Sequence, residues 1–210
     1  VAVGGCGPKL AEKVKQHAEA IKVGEGMGEG VEMGPVISAR AKTRIVDLID
    51  DAEKRGSKVV LDGRGLTVPG YENGHFLGPT ILDDVPLDAP VYTEEVFGPV
   101  LAVVHADTYD EALKIVNAQP FGNGSAIFTN DGGIARRFTL DVEAGMVGVN
   151  VPIPTPVAFY SFGGWKESLL GDTHIHGPEG VNFYTRAKAI TERWLTEKTY
   201  AATMSFQREE

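Results

Sequence analysis

Short apolar runs and amphipathic stretches alternate along the first 150 residues, and this alternation constrains the fold more than any other feature. The segments 58–61, 125–128 and 145–150 have the length of buried strands, and 38–55 repeats apolar residues at helical spacing. Strands that alternate with helices predict an α/β layer fold with a largely parallel sheet flanked by helices. We therefore expect residues 1–150 to form one such region.

Local signals place the first helices. Ser38 is a suitable N-cap and Gly56 a suitable stop, so a helix is predicted over 38–55. Pro8 fits the first turn of an earlier helix, which we expect to end before Gly24. The predicted buried faces are Leu10, Val14, Ala18 and Ile21 on the first helix, and Ala41, Ile45, Leu48, Ile49 and Ala52 on the second.

Charge and cysteine content exclude several classes of protein. The 210-residue chain has a net charge of −9, and no basic patch supports nucleic-acid binding. A single cysteine rules out an internal disulfide and a Cys-rich zinc site. No apolar run approaches the length of a membrane span, so we expect a cytoplasmic protein. The opening residues 1–5 resemble a strand already under way, and we expect the chain to be part of a longer protein.

The alternation of strand-like and helix-like segments ends after residue 150. Three prolines between 151 and 156 prevent regular ladder pairing, and an aromatic-rich irregular segment follows. Long loops in compact proteins are usually functional, so 151–185 is predicted to be a functional loop segment. Residues 187–194 alternate apolar and polar side chains in the manner of an edge strand. The region 186–210 is therefore predicted to contain an oligomerisation strand and a tail.

The stretch 92–100 combines two adjacent carboxylates, an aromatic residue and a Gly-Pro break before an apolar run. Gly98 allows close backbone approach, and Pro99 can begin a strand where no main-chain donor is needed. Glu95 and Phe97, two residues apart, can reach one cleft at the entrance to a buried sheet. A solvated acidic turn with a core phenylalanine remains the alternative interpretation.

Several motifs occur in a fixed order along the chain: Glu-Glu-Val-Phe-Gly-Pro at 94–99, Phe-Gly-Asn-Gly at 121–124, Gly-Met-Val-Gly-Val-Asn-Val-Pro at 145–152 and Phe-Gly-Gly at 162–164. In this order they resemble the C-terminal half of an aldehyde dehydrogenase. The segments 149–154, 171–174 and 183–188 narrow the resemblance to the CoA-acylating methylmalonate-semialdehyde dehydrogenases.

The resemblance implies NAD-dependent oxidation of malonate or methylmalonate semialdehyde, with decarboxylation and transfer of the acyl group to coenzyme A. By position, Glu95 matches the glutamate that binds the nicotinamide ribose hydroxyls, and Phe97 matches the aromatic residue beside the nicotinamide ring. Phe162 matches a residue of the aldehyde pocket, although plugging the core is an equally good interpretation, and 151–159 matches a loop along the acyl tunnel. The resemblance also implies a homodimer or homotetramer.

Cys6 is not expected to be the nucleophile. In the family the catalytic cysteine precedes the strand that opens this chain, whereas Cys6 follows it, and a five-residue strand is about 16 Å long. We therefore expect the nucleophile, the general base and the main NAD-binding domain to lie upstream of Val1, and this chain alone to be inactive. His174 and His176 lack a third ligand nearby, so no metal site is predicted.

Two other interpretations stay open. The chain could act as a non-catalytic assembly module through the strand at 187–194, or it could belong to a different NAD(P)-dependent aldehyde dehydrogenase. An unrelated α/β ligand-binding domain is a third alternative, in which Glu95 and Phe97 would face elsewhere. The sequence leaves the preferred semialdehyde open, together with the choice between valine and inositol breakdown.

Overall fold

The computed structural model describes residues 1–192 and 194, which fall into two compact units. The first unit comprises Val1–Pro154 and Gly163–Leu170, and the second comprises Thr155–Phe162 together with the described residues from Gly171 onward. The strands are β1 (Ala2–Val3), β2 (Lys58–Leu61), β3 (Thr80–Asp83), β4 (Val100–Ala102), β5 (His105–Ala106), β6 (Phe121–Gly122), β7 (Gly124–Ile127), β8 (Met146–Val149) and β9 (Trp165–Lys166). The helices are α1 (Gly7–Glu19), α2 (Ala39–Lys54), α3 (Pro90–Thr93), α4 (Tyr109–Asn117), α5 (Gly132–Asp141) and α6 (Pro178–Tyr184).

Parallel pairing predominates among the strands, as predicted. β1 pairs with β5, β3 with β4, and β7 with β8, all in parallel. β2 pairs with β3 and β6 with β9 in antiparallel orientation. Helices pack against these strands, which confirms the predicted α/β fold class.

Helix α2 contributes its apolar stripe to the centre of the main core. Its start and its stripe are both determined by residues within or next to the helix. The Ser38 hydroxyl accepts a hydrogen bond from the Ala41 amide at 3.1 Å, and this cap begins the helix as predicted. Ile45 and Ile49 are each only 1% exposed within the main hydrophobic cluster. Burial of each such side chain contributes about 1.5–3 kcal/mol, so this stripe fixes α2 against β3 and α3.

The predicted buried face of α1 is confirmed at Val14 and Ala18, which pack against a buried cluster, but not at Leu10. Leu10 is 43% exposed, whereas Ala11 is 5% exposed and Val14 packs against buried residues of the sheet. The helix ends at Glu19, so Ile21 lies beyond it. The error arises because Leu10 faces an apolar groove, described below, rather than the sheet.

The strands are shorter than the apolar runs that predict them. The opening strand has two residues instead of five and runs into a single 3-10 turn, Gly4–Cys6. The run 100–105 divides into β4 and β5, since the Val103 amide donates to Leu82 while the Val104 carbonyl accepts from the Ala2 amide. A strand exists only where a neighbour pairs with it, and apolar composition alone does not set that length.

The second unit contains α6 and otherwise irregular chain. Residues 187–192 and Trp194, where an edge strand is predicted, have neither helix nor strand structure in the single chain, and no described segment pairs with them. Pairing of this segment with a second subunit stays a prediction. Ile190 is 71% exposed and Trp194 is 87% exposed. Arg193 and the tail 195–210 lie outside the described residues. Across the described part of the chain, no helix combines the length and apolar character that crossing a bilayer would require.

Candidate functional site

The predicted acidic-aromatic turn links α3 to β4 and is fixed at both ends. The Glu94 amide donates to the Pro90 carbonyl at 2.9 Å, which closes α3. The Pro99 carbonyl accepts from the Thr80 amide at 2.8 Å, which attaches the far end of the turn to β3. Residues 94–98 therefore form a short loop whose two ends are fixed by the sheet and the helix.

Within this turn, Val96 points inward and its neighbours point outward. Val96 is partly buried against the main core cluster, whereas Glu95 is exposed and Phe97 is 77% exposed. Within residues 1–192 and 194, nothing forms a hydrogen bond or ion pair with the Glu95 carboxylate. The acid and the ring are thus both free to contact a ligand, and the interpretation of Phe97 as a core residue is wrong.

Phe97 has a left-handed backbone, with φ of 53°. This conformation is uncommon for a bulky residue and costs about 1–3 kcal/mol. Because the Phe97 ring is exposed, its burial does not compensate for the cost of this backbone conformation. Contacts of the neighbouring residues must therefore impose the conformation. One such contact is the close approach of the Gly98 backbone to the buried Ile45, because a Cβ at residue 98 would lie 2.5 Å from Ile45 Cδ1.

Arg44, on α2, supplies the other contacts. Its Nη1 donates to the Val96 carbonyl at 3.0 Å, and its Nη2 donates to the Glu95 carbonyl at 2.8 Å and to Glu94 Oε2 at 3.3 Å. The residue was not among the predicted site residues. It is separated from the turn by about fifty positions, and no local sequence signal relates an exposed helical arginine to a distant carbonyl.

Phe162, the third predicted site residue, belongs to the second unit. Its ring stacks on the His176 imidazole with centroids 4.4 Å apart and an interplanar angle of 1°. Both residues are half-buried, so the stacked pair is packed within the second unit. The nearby Ser161 hydroxyl donates to Glu179 on α6 at 2.5 Å, which helps to hold this segment.

Cys6 lies in the exposed 3-10 turn directly after β1. Because β1 has two residues rather than five, the distance argument against Cys6 is weaker than predicted. Its position supplies a different argument. Cys6 lines an apolar groove of about 740 Å³ whose lining includes neither Glu95 nor Phe97.

This groove lies between the free edges of β1 and β7, with α1 and α4 contributing its walls. Leu10 and Phe128 line it and are 43% and 65% exposed. The Ala2 amide is bonded towards β5, so the main-chain groups of Val3 face the opposite edge. On β7, the Ile127 carbonyl accepts from Asn150, so the main-chain groups of Ala126 face away from β8 in the same manner. The groove is separate from the turn, since no residue of 94–99 lines it.

The carboxylates of Asp83 and Asp84 meet the ring of His105 at one end of β3. His105 Nε2 lies 2.6 Å from Asp83 Oδ1, and the Lys58 ammonium donates to Asp84 at 2.5 Å. This hydrogen bond with Lys58 holds the pKa of Asp84 below its usual range. The lysine supplies the positive charge that the acids require, so the cluster is accounted for as an ion-pair network between strands.

The comparison with protein families decides the class of the chain. The model of the aldehyde dehydrogenase family matches residues 4–190. The chain belongs to the aldehyde dehydrogenase family. Among relatives of this chain, the malonate-semialdehyde dehydrogenase of Pseudomonas aeruginosa is 48% identical over 193 residues, which are 92% of this chain and 39% of the relative. The probable methylmalonate-semialdehyde/malonate-semialdehyde dehydrogenase of Drosophila melanogaster is 51% identical, over 89% of this chain and 35% of that protein.

Solved structures show the same relationship. The methylmalonate-semialdehyde dehydrogenase of Oceanimonas doudoroffii superposes with a TM-score of 0.89 at 43% identity, covering 94% of this chain and 42% of that structure. A Mycobacterium tuberculosis aldehyde dehydrogenase in complex with NAD⁺ gives a TM-score of 0.78 at 30% identity, covering 88% and 37% of the two chains. The chain thus spans about two fifths of the length of the proteins it matches.

Proposed function

We propose that this chain forms the coenzyme-facing and substrate-facing part of an NAD-dependent, CoA-acylating semialdehyde dehydrogenase. The reaction is the oxidation of malonate or methylmalonate semialdehyde, with decarboxylation, to acetyl- or propionyl-CoA. Support comes from the named relatives, which act on these semialdehydes, and from a related structure that contains NAD⁺. The nucleophile is proposed to lie outside this chain, so the chain alone is expected to be inactive.

The observation that carries the proposal is the unpaired carboxylate of Glu95 beside the exposed, left-handed Phe97. A carboxylate can accept hydrogen bonds from both hydroxyls of a ribose, which suits Glu95 to the nicotinamide ribose. The Phe97 ring offers a flat apolar face to the nicotinamide. NAD would supply the hydride acceptor for the oxidation, and Glu95 and Phe97 would hold its ribose and its nicotinamide ring in place.

Phe162 is proposed to line the aldehyde pocket. Its ring is half-buried and held by the parallel His176 imidazole, so its orientation is defined within the second unit. An aromatic wall of this kind excludes water and narrows the choice of aldehyde side chain. Residues 151–159 are proposed to line the acyl tunnel used by coenzyme A.

The test uses a chimera in which residues 4–190 replace the matching part of the Pseudomonas aeruginosa relative, because that relative supplies the length this chain does not span. We expect NADH formation from malonate semialdehyde, with acetyl-CoA as the product when coenzyme A is present. A folded chimera that reduces NAD but releases free acid in the presence of coenzyme A would contradict the CoA-acylating assignment.

The role of Glu95 is tested by Glu95→Gln in this chimera. Losing a charged acceptor weakens the bonds to the ribose, so the KM for NAD should rise by about tenfold. Glu94→Gln is the matched control, because its carboxylate bonds Arg44 and is not directed to the coenzyme. An unchanged KM for NAD in Glu95→Gln would refute the assignment of this residue.

A second role, in assembly, is supported by the segment 187–194. Its apolar residues Ile190 and Trp194 are largely exposed, and no described strand pairs with it. Pairing with the sheet of a second subunit would satisfy its main-chain groups and cover these side chains. Sedimentation of a chimera that carries residues 4–194 of this chain is expected to show a dimer or tetramer, and Ile190→Asp is expected to shift it towards monomer. A strictly monomeric chimera at high concentration would exclude this role.

A further inference from the structure

We infer that Arg44 is a positioning residue that sets the shape of the coenzyme-facing turn. The inference rests on the proposed function of that turn and adds a residue from a different element, α2. Arg44 is not expected to touch the coenzyme. It acts through the backbone that carries Glu95 and Phe97.

The geometry of the two carbonyl contacts carries this inference. In an extended strand, successive carbonyls point to opposite sides. Here the consecutive carbonyls of Glu95 and Val96 both accept from the same guanidinium, at 2.8 and 3.0 Å. The chain must therefore bend at this point, and the bend immediately precedes the left-handed residue Phe97.

The guanidinium suits this task better than an ammonium group. Its nitrogens form a rigid planar fork, so Arg44 Nη1 and Nη2 can reach two carbonyls at a fixed separation. The bond from Nη2 to Glu94 Oε2, at 3.3 Å, is the longest of the three contacts, and the two carbonyl contacts do not depend on it. A lysine could satisfy one carbonyl at a time and would leave the relative orientation of residues 95 and 97 free.

Because Arg44 is exposed, its positioning role can be distinguished from a general contribution to the stability of the fold. The side chains of Arg44 and Glu94 are 44% and 56% exposed, so water replaces the lost contacts when either is removed. Removing Arg44 should therefore leave the unfolding transition almost unchanged while it loosens the turn. A residue with a purely structural role would instead shift the unfolding transition.

The first measurement is amide hydrogen exchange on this chain, comparing Arg44→Ala and Arg44→Lys with the unsubstituted protein. We expect exchange of the Glu94 and Val100 amides, which donate to the Pro90 and Gly98 carbonyls at the two ends of the turn, to accelerate by about 5- to 10-fold in both variants. Arg40→Ala is the control, because Arg40 is an exposed arginine on the same helix. Equal exchange of these two amides in Arg44→Ala and Arg40→Ala would overturn the inference.

The second measurement is steady-state kinetics of the same substitutions in the chimera. The KM for NAD should rise by about 5- to 10-fold in Arg44→Ala and Arg44→Lys, with kcat changed by less than about twofold. Glu94→Gln should have a small effect, since it keeps both carbonyl contacts. A faster exchange with an unchanged KM would overturn the positioning role, whereas an unchanged KM in Glu95→Gln would instead overturn the proposed function of the turn.

Discussion

Replacing Phe97 with glycine should leave stability nearly unchanged, which is unusual for the loss of a phenylalanine side chain. The ring is 77% exposed, so its burial covers about 45 Å² and contributes about 1 kcal/mol. Glycine adopts φ of 53° without strain and recovers about 1–3 kcal/mol. It also adds about 0.4–1 kcal/mol of backbone entropy to the unfolded chain. These contributions nearly cancel, so the change should be within about 1 kcal/mol of zero.

Urea unfolding of this chain, followed by circular dichroism, measures the difference. Phe138→Ala is the matched control, because Phe138 is 6% exposed and its loss should cost about 3–5 kcal/mol. If Phe97→Gly also lowered the free energy of unfolding by more than about 2 kcal/mol, the ring would be packing against the core and the reasoning would be refuted. In the chimera the same substitution should raise the KM for NAD, since the ring that contacts the nicotinamide is removed.

Three further predictions concern stability. Gly98→Ala should lower the free energy of unfolding by about 1–3 kcal/mol, because its Cβ would collide with Ile45, and thermal unfolding measures this loss. The hydrogen bond from Arg64 holds the pKa of Asp62 below its usual range, so the stability it contributes is present above about pH 4 and lost as the pH falls through the folded-state pKa. Acid titration of Asp62→Asn should therefore show a shallower loss of stability below about pH 4 than the unsubstituted chain, and an identical profile would contradict this. Asn150→Ala should cost about 2–3 kcal/mol in urea unfolding, since the amide side chain forms two main-chain hydrogen bonds and the residue has φ of 57°.

Elements encoded by neighbouring residues could be predicted well from the sequence. Helix α2 begins at its Ser38 cap and ends within a residue of the predicted position, because cap, stripe and stop are all local. Thr108 likewise caps α4 through the Glu111 amide. Strand lengths could not be predicted, since each depends on a partner far away in sequence. The 100–105 run shows this, because it divides where its two faces bond to different strands.

The candidate site likewise contains residues that the sequence predicts and residues that it does not. Glu95 and Phe97 were found through a local motif, and their exposure is consistent with a role in binding. The conformation of the turn depends on Arg44 and Ile45, which lie on a helix about fifty residues earlier. No periodicity or spacing rule relates those positions to the turn. The His176 partner of Phe162 was likewise hidden, because ring stacking leaves no signature in sequence spacing.

The apolar groove between β1 and β7 has a practical consequence for anyone who purifies this chain. Its volume of about 740 Å³ has room for about four or five residues of extended polypeptide. The edge of β7 opposite β8 lines one side of the groove, and the exposed ring of Phe128 adds apolar surface. An extended apolar peptide from another protein molecule can pair with this strand edge and pack its side chains in the groove. Precipitation on concentration is the expected behaviour, and mild chaotropes or a solubilising fusion should delay it.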